Sequence, residues 1–444
     1  MRRFPRHMLT IIHRLVAYKL SATAPILLYH ILSYTLKWTF IFHSYDLLLV
    51  LFNSLYIWQQ LKFNFQSPLT YMTSETPDVM HHNTISRSFS DNFYLKDPQP
   101  QPEDRMESIS DPPFHEAYKI LFDKTRNGNN FEEHKELLAV AEECDLPVID
   151  LSRLEESDEV VREECKSQIA RASQEWGFFQ VVNHGISTEI FSSLRCEQEK
   201  VFKQPFEKKT KEDKFLNFSA GSYRWGTPSA TCIKQLSWSE AFHIPLTDIL
   251  GSTGSNSLSW TIEQFATTVS SLAQTLADIL AEKMGHKSTF FKENCLPNTC
   301  YLRLNRYPPC PIGFGIHGLM PHTDSDFLTI LYQDQVGGLQ LVKDSKWIAV
   351  KPNPDALIIN IGDLFQAWSN GVYKSVEHRV MTNPKLERFS MAYFFCPSND
   401  TVIESCREPS FYRKFSFREY RQQVRDDVQK LGSKIGLPRF LTHA

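Results

Sequence analysis

A closely spaced series of short, apolar, strand-like segments occupies the chain from Cys300 onward and limits the folds open to it. Gly, Pro, Asn or Asp separates most of these segments, as in antiparallel strands joined by turns. Two helical patterns precede them, one between Ser157 and Gly177 and one over about residues 260–284. Helices followed by many short strands predict a mainly β protein with flanking helices, either an antiparallel barrel or a double-sheet jelly roll. The strand candidates are CYLRLNRY (300–307), DFLTILYQ (326–333), GLQLV (338–342), WIAV (347–350), ALIINI (356–361), VYKSV (372–376) and RFSMAYFF (388–395).

Composition narrows the class of protein. Hydrophobic residues at 42% and charged residues at 22% are typical of a globular chain and exclude a mostly disordered or collagen-like one. The formal net charge of −3 excludes a nucleic-acid binder that relies on bulk positive charge. Nine cysteines without a Cys-x-x-Cys pair argue against a disulfide framework and a thiolate zinc site. They favour a reducing compartment, which predicts a cytoplasmic protein that could also enter the nucleus.

Changes in composition divide the chain into four stretches. Residues 1–72 are apolar and basic, with seven Lys or Arg against one acidic residue. Residues 73–113 are rich in Pro, Ser, Asn and Asp and predict a disordered linker. Residues 114–290 form an N-terminal region with helices, and residues 291–444 form the strand-rich core with a C-terminal helix.

The first candidate for chemistry is His322-Thr323-Asp324, followed at a distance by His378. In an extended segment, residues two apart project to the same face, so His322 and Asp324 could hold one metal ion that His378 also binds. Two imidazoles and one carboxylate on one face leave coordination positions open, as in non-haem Fe(II) oxygenases. The ordinary alternative is a His that caps a turn beside an Asp at a strand end.

A second candidate, Arg388-Phe389-Ser390, follows ten residues after His378. On a strand, Arg388 and Ser390 face the same way, and a guanidinium with a hydroxyl suits a carboxylate because Arg can bind both oxygens in one plane. Tyr307 could add a second hydroxyl from a neighbouring strand. For Arg388 alone the alternative is a surface ion pair, but the ordered combination with the histidines favours a keto-acid site.

The motifs of the chain resemble those of plant soluble dioxygenases that depend on Fe(II) and 2-oxoglutarate, and most of all gibberellin 2-oxidases of the group that acts on twenty-carbon gibberellins. The resemblance covers about residues 111–444. Its segments are WGFFQVVNHGI (176–186), LRLNRYPPCP (302–311), GLMPHTDSDFLTIL (318–331), GGLQL (337–341), INIGDLFQAWSNGVYKSVEHRV (359–380) and RFSMAYFFCP (388–397), with AGSYRWGTPSA (220–230) and LSWSEAFH (236–243) for the narrower match.

This resemblance implies a double-stranded β-helix, which is a jelly-roll core, flanked by N-terminal helices. It implies oxidation of 2-oxoglutarate by O2 to succinate and CO2, coupled to hydroxylation of a gibberellin at carbon 2 that inactivates the hormone, with ascorbate as reductant. The implied site residues are His322, Asp324 and His378 as Fe(II) ligands and Arg388, Ser390 and Tyr307 at the far carboxylate of 2-oxoglutarate.

Substrate recognition is predicted from side-chain chemistry. A gibberellin is an apolar polycycle with carboxylates, so its pocket needs aromatic walls and a few cationic or hydroxyl groups. Tyr223-Arg224-Trp225 has this composition, and Arg224 is the predicted partner of a substrate carboxylate, against the alternative of an Arg packed between aromatic rings. Trp238, Glu240 and His243 are expected to pack in the core, and His184 to belong to a turn.

Two other functions remain open at this point. One is a 2-oxoglutarate-dependent oxidase of another plant metabolite, from gibberellin biosynthesis or flavonoid metabolism. The other is a membrane-tethered protein that uses the barrel only to bind a small ligand. The oligomeric state and the preference among gibberellins are left undetermined by the sequence.

The apolar N-terminal stretch has three explanations. Residues 20–61 are a candidate membrane tether, because residues 38–57 are long enough to span a bilayer as a helix. Their Leu, Ile, Phe and Val residues favour insertion by roughly 3–7 kcal/mol, of which Asp46 removes about 2.5–3.5 kcal/mol. The second explanation is a targeting peptide. The third is translated upstream sequence, with Met106 as the working start, because the resemblance begins close to it.

Overall fold

The computed structural model describes residues 110–127, 141–211, 222–249, 257–286, 289–312 and 315–442. The predictions for residues 1–72, for residues 73–109 of the linker and for Met106 lie outside these ranges. Within them, no helix is both long enough and apolar enough to cross a membrane.

The described residues form nine α-helices and fifteen β-strands. The helices are α1 (Phe114–Asn127), α2 (Glu159–Glu175), α3 (Thr188–Phe202), α4 (Phe206–Lys211), α5 (Leu246–Ile249), α6 (Ser257–Lys283), α7 (Phe290–Asn294), α8 (Asp363–Trp368) and α9 (Phe417–Leu431). The strands are β1 (Glu142–Cys144), β2 (Val148–Asp150), β3 (Phe178–Val182), β4 (Tyr223–Trp225), β5 (Glu240–Pro245), β6 (Tyr301–Tyr307), β7 (His317–His322), β8 (Leu328–Gln333), β9 (Leu339–Lys343), β10 (Lys346–Val350), β11 (Leu357–Ile361), β12 (His378–Met381), β13 (Arg388–Phe395), β14 (Val402–Ile403) and β15 (Phe415–Ser416).

Two sheets packed face to face make up the β core. The larger sheet has the order β2-β3-β11-β8-β13-β6-β5-β4, and the smaller one has the order β1-β10-β9-β12-β7. Only the β1–β10 and β2–β3 pairs among these described strands are parallel. Apolar side chains from both sheets, including Ile358 of the larger and Leu341 of the smaller, share one buried cluster between them. The predicted jelly roll with flanking helices is therefore confirmed.

Long helix α6 covers the outer face of the larger sheet. Six fully buried residues of α6 recur every three or four positions, which places them on one face of the helix: Ile262, Phe265, Val269, Ala273, Leu276 and Leu280. That face packs against α2, α3, β8 and β13 in the largest apolar cluster of the described chain. The helices therefore hold the sheet rigid from outside and leave its inner face free to build a site.

One strand prediction is wrong. VYKSV (372–376) forms no strand, and pairing begins two residues later at His378. The turn through Asn370 and Gly371, both with positive φ, directs Tyr373 into the helical core, where its hydroxyl donates to the Leu280 carbonyl at 2.8 Å. Strand β7 was not predicted, because its Gly and Pro residues weaken the strand pattern.

The boundary predicted at residue 290 does not separate two folded bodies. Strands β2 to β5 from the N-terminal region lie in the same sheet as β6, β8, β11 and β13 from the strand-rich region. Residues 110–113, the end of the predicted linker, are also part of this fold. Asp111 pairs with Arg306 at 2.7 Å, and the buried Lys209 Nζ donates to the Ser110 carbonyl at 2.7 Å and to Glu240 at 2.5 Å. Glu240 thus packs in the core, as predicted.

Candidate active site

Strand pairing brings the three predicted metal ligands together. Strands β7 and β12 are antiparallel, and their register sets His322 directly opposite His378, with ring centroids 4.3 Å apart. Asp324 lies two residues after the end of β7. Its Oδ1 lies 3.6 Å from Nε2 of His322 and 3.9 Å from Nε2 of His378. All three candidate ligand atoms lie within 4.8 Å of one another, so they could hold one metal ion.

Backbone carbonyls orient both imidazoles. Nδ1 of His322 lies 2.7 Å from the Met320 carbonyl, and Nδ1 of His378 lies 3.1 Å from the Val376 carbonyl. Because a carbonyl can only accept, each Nδ1 carries the proton and donates. Each Nε2 therefore keeps its lone pair and points it toward Asp324, which is the tautomer that a metal-binding histidine needs.

The carboxylate of Asp324 is held by one of its oxygens. Oδ2 accepts from the Thr329 hydroxyl at 2.6 Å and from the Asn360 amide at 2.8 Å. These bonds leave Oδ1 free to face the two imidazoles. Thr329 and Asn360 lie on neighbouring strands β8 and β11, so the orientation of the third ligand depends on the larger sheet.

Electrostatics favour the protonation states that metal binding requires. Burial, reinforced by the neighbouring His378, lowers the pKa of His322 to about 3 and keeps its ring neutral. Burial by itself would raise the pKa of Asp324, but the two imidazoles and the hydrogen bonds from Thr329 and Asn360 outweigh it, and the pKa is lowered to about 2. A neutral imidazole beside an ionised carboxylate is ready to bind a divalent cation without releasing a proton.

A second buried carboxyl, Asp326, is part of this arrangement. The Thr329 hydroxyl lies 2.6 Å from Asp324 Oδ2 and 2.9 Å from Asp326 Oδ2, yet a hydroxyl has only one proton to donate. Burial and the charge of Asp324 raise the pKa of Asp326 well above its usual range. A protonated Asp326 donates to Thr329, which donates to Asp324. Gly362 is required beside this pair, since a Cβ there would come within 2.1 Å of Asp326 Oδ1.

A cavity of about 240 Å³ opens onto the metal-binding residues. Alternate residues of two adjacent strands line it because side chains two apart share a face. A wider cleft of about 990 Å³, beside Arg195 and Lys385, contains none of the three candidate ligands, so the smaller cavity is the candidate site. The lining residues from these strands are Tyr301, Arg303, Asn305 and Tyr307 of β6 and Arg388, Ser390, Ala392 and Phe394 of β13.

Arg388 directs unpaired donors into this cavity. It is 2% exposed, and its Nη2 donates to Gln333 at 2.8 Å, which fixes the plane of the guanidinium. Its Nε and Nη1 are buried without a partner in the described ranges. Buried donors left unpaired cost about 1–3 kcal/mol each, and more when charged, so a carboxylate is the fitting occupant. The residues present therefore fit the far carboxylate of 2-oxoglutarate.

The other two predicted cosubstrate residues lie beside Arg388. Tyr307 is its partner across the β6–β13 pair, and the guanidinium carbon lies 4.8 Å from the centre of the Tyr307 ring. Ser390 follows on the same face, and its hydroxyl oxygen accepts from Asn305 at 3.2 Å, which leaves the Ser390 proton for another acceptor. A Cβ at Gly318 would come within 2.6 Å of the Tyr307 ring, so this ring packs directly on backbone.

Sequence reasoning missed a second cationic group in the cavity, Arg303. It lines the cavity on β6, and its Nε is buried with no partner among the residues that the structure covers. His243 was expected to pack in the core but also lines the cavity, because the β5–β6 register sets it opposite Arg303. Burial, followed by the charges of Arg303 and Arg224, lowers the pKa of His243 to about 3. The alternation of positions 301, 303, 305 and 307 could have revealed Arg303.

The predicted substrate residues on β4 are not part of the cavity lining. Tyr223 is buried and its hydroxyl donates to Glu240 at 2.5 Å, while the Trp225 ring packs at 5.8 Å from Phe114. Arg224 is exposed and donates to the Tyr223 carbonyl. The physical reason is position, because β4 is the edge strand of the larger sheet and β5 lies between it and β6. His184 belongs to a turn, as predicted, and its Nδ1 accepts from the Ile186 amide at 3.3 Å.

Two family models match this chain. The model of the 2OG-Fe(II) oxygenase superfamily matches residues 298–397, which contain the metal-binding residues and Arg388. A model described as non-haem dioxygenase in morphine synthesis N-terminal matches residues 146–255.

Among curated proteins, the chain is 64% identical to Gibberellin 2-beta-dioxygenase 8 of Arabidopsis thaliana over 338 residues, which are 75% of this chain and 99% of that protein. It is 48% identical to Gibberellin 2-beta-dioxygenase 6 of Oryza sativa subsp. japonica, over 75% of this chain and 97% of that protein.

Among solved structures, JOX2 in complex with 2OG, Fe and JA superposes with a TM-score of 0.57 at 30% identity, over 68% of this chain and 91% of JOX2. The dioxygenase for auxin oxidation from rice superposes with a TM-score of 0.55 at 26% identity, over 67% of this chain and all of that one (100%).

Proposed function

This chain belongs to the 2OG-Fe(II) oxygenase superfamily, in the group of its gibberellin 2-beta-dioxygenases, and we propose that it hydroxylates gibberellins at carbon 2 with Fe(II), O2 and 2-oxoglutarate. The observation that carries this proposal is the match to Arabidopsis Gibberellin 2-beta-dioxygenase 8 over 99% of its length. The complete set of candidate iron ligands and the buried, unpaired donors of Arg388 support it.

His322, Asp324 and His378 are the proposed ligands of the iron. When bound, Fe(II) together with 2-oxoglutarate supplies the O2-dependent oxidising power for hydroxylation of a C–H bond. The protein orients the ligand atoms through its own hydrogen bonds, from both imidazoles to backbone carbonyls and from Thr329 and Asn360 to Asp324.

Arg388, Ser390 and Tyr307 are the proposed anchor of the cosubstrate. Nη1 of Arg388, together with the N–H of Nη2 that Gln333 does not accept, would bind both oxygens of the far carboxylate in one plane, and the Ser390 hydroxyl would donate a further bond. Gln333 keeps the guanidinium from rotating, since it accepts from the other N–H of Nη2. This anchor would orient the keto end of 2-oxoglutarate toward the metal-binding residues.

Arg303 is the proposed partner of a gibberellin carboxylate, in place of Arg224. Its buried Nε has no acceptor in the described part of the chain, and it shares the cavity wall with the aromatic residues Tyr301 and Phe394, whose rings stack at 4.6 Å. An apolar polycycle with a carboxylate fits such a wall. Arg224 adds positive charge near this wall, as its effect on the pKa of His243 indicates.

Product analysis tests the function. The purified chain is incubated with nineteen- and twenty-carbon gibberellins, Fe(II), 2-oxoglutarate and ascorbate, and products are identified by mass spectrometry. We expect 2-hydroxylated gibberellin and an equal amount of succinate that depends on the gibberellin. His378→Ala should abolish both, whereas His286→Ala, outside the cavity, should not. Turnover of a flavonoid or another metabolite without gibberellin hydroxylation would reject the proposal, and binding without succinate would indicate a ligand-binding protein.

A further inference from the structure

A buried carboxylate at the start of α8, that of Asp363, connects both parts of the chain that supply the metal ligands. It is 3% exposed. Its Oδ2 accepts from the hydroxyl of Thr323, the residue between His322 and Asp324, at 3.1 Å. Its Oδ1 accepts from the hydroxyl of Ser375, three residues before His378, at 2.6 Å. One carboxylate therefore holds the segments that carry all three ligands.

A lysine from beyond the last helix completes this connection. The Lys434 ammonium lies 2.7 Å from Asp363 Oδ2, and it donates to the Thr323 carbonyl at 2.8 Å and to the Ser325 hydroxyl at 2.9 Å. The Lys434 side chain is only 9% exposed, so water screens this pair weakly.

Lys434 also lines the cavity, but it has no donor left for a ligand there. An ammonium has three N–H groups, and each has an acceptor within 2.9 Å on Asp363, Thr323 or Ser325. Recognition of a substrate carboxylate is therefore not its role. Its contacts lie on both sides of Asp324, at residues 323 and 325, which is where the metal-binding loop needs support.

The C-terminal segment is shaped to deliver this lysine. The Tyr420 hydroxyl of α9 also donates to Asp363 Oδ2. Gly436, with φ of 76°, lets the chain pass close to the pair, since a Cβ there would lie 3.0 Å from Lys434 Cε and 3.1 Å from Asp363 Oδ2. The Asp363 amide donates to the Asp324 carbonyl at 3.0 Å, so the carboxylate and backbone of Asp363 hold the same loop.

We propose that Lys434 is a positioning residue of the metal site, and that through Asp363 it fixes the loop of residues 322–325 and the segment before His378 in the geometry that binds the ion. The inference rests on the proposed metal site. Partners that orient metal ligands typically contribute 10- to 100-fold to metal affinity. A lysine that only stabilised the C-terminal segment would instead affect unfolding and leave the metal affinity of the folded protein unchanged.

Metal titration separates these two roles. Mn(II) alone is titrated into the metal-free full-length chain, free Mn(II) is followed by electron paramagnetic resonance, and thermal unfolding of each metal-free variant is recorded. We expect Lys434→Met to weaken Mn(II) binding about 10- to 100-fold at temperatures where the protein is folded. Lys434→Arg, which keeps the charge and the donors, should recover most of the affinity. Lys430→Met, an exposed lysine of α9, should bind as tightly as the unchanged chain.

Equal Mn(II) affinity for Lys434→Met and the unchanged chain, with or without a lower unfolding temperature, would overturn the inference. If Lys434→Met does not fold, the Mn(II) affinity of Ser375→Ala is measured instead, because this substitution removes another hydrogen bond to Asp363. An unchanged Mn(II) affinity of Ser375→Ala would also overturn the inference. A full-length chain that binds no Mn(II) would overturn both this inference and the metal site. Normal binding without gibberellin hydroxylation would reject only the proposed substrate.

Discussion

Replacing Arg388 by lysine tests the cosubstrate anchor most directly. In the structure, one N–H of Arg388 Nη2 donates to Gln333 at 2.8 Å, whereas Nη1 and Nε are buried without a partner in the described part of the chain. Lysine keeps the positive charge but not the planar fork. Its ammonium can therefore bind one carboxylate oxygen or satisfy Gln333, but it cannot reproduce the paired contact.

The magnitude follows from the number of bonds lost. A bidentate contact supplies two charge-assisted hydrogen bonds, each worth about 1.5–3 kcal/mol, and Arg388→Lys removes at least one of them. Since a factor of ten corresponds to 1.4 kcal/mol, the KM for 2-oxoglutarate should rise about 10- to 100-fold. The metal ligands are untouched, so kcat at saturating 2-oxoglutarate should fall much less than kcat/KM.

The assay is succinate formation at a fixed gibberellin concentration over a range of 2-oxoglutarate concentrations. Arg195→Lys is the matched control. The guanidinium of Arg195 lies 3.9 Å over the ring of Phe389, the neighbour of Arg388 on β13, but it pairs with Asp334 outside the cavity. A KM for Arg388→Lys within threefold of the unchanged enzyme, or an equal rise in Arg195→Lys, would refute the assignment of Arg388 as the anchor.

Three further predictions follow from other contacts. Arg303→Met should raise the KM for gibberellin about tenfold and leave the KM for 2-oxoglutarate unchanged, because it removes the unpaired donor of the substrate wall. Lys209→Met should lower the free energy of unfolding by about 3–5 kcal/mol in urea titrations, because it removes the cation from Oε2 of the fully buried Glu240 and leaves Arg306 to pair with Oε1 alone. Burial, with the charge of Arg379, lowers the pKa of His317 in the folded protein to about 4. As the pH falls, His317 is therefore protonated in the unfolded chain before it is protonated in the folded one. The free energy of unfolding should therefore fall as the pH drops from about 6.5 to 4, and His317 should account for about 3 kcal/mol of this fall. His317→Leu should abolish the contribution of His317.

Each of these has an outcome that contradicts it. A parallel rise of both KM values in Arg303→Met would indicate general damage to the cavity and not a substrate contact. If the free energy of unfolding of Lys209→Met falls by less than 1 kcal/mol, Arg306 and Tyr223 alone are sufficient to stabilise the buried carboxylate of Glu240. Identical pH profiles of stability for the unchanged chain and His317→Leu would exclude His317 as the source of acid sensitivity.

Local patterns in the sequence were sufficient wherever one strand carries the chemistry. Arg388 and Ser390 lie two residues apart on β13, and the geometry of an extended backbone places such a pair on one face. His322 ends β7 and Asp324 lies two residues later, close enough in sequence for the same local reasoning. Six strands of the core, β6, β8, β9, β10, β11 and β13, could be predicted for the same reason, since alternation and turn residues are local features. The type of metal site was therefore predictable from the residues themselves.

Contacts between distant segments were decided only by the tertiary structure. The β7–β12 register that opposes His322 and His378 depends on how the sheets pack, and so does the choice between Arg303 on an inner strand and Arg224 on an edge strand. Lys434 reaches Thr323 across more than a hundred residues of chain. Local periodicity specifies the face of a strand or helix to which a side chain points. Which side chains meet depends on how the apolar faces of sheets and helices are buried against one another, and the free energy of that burial is contributed by the whole fold.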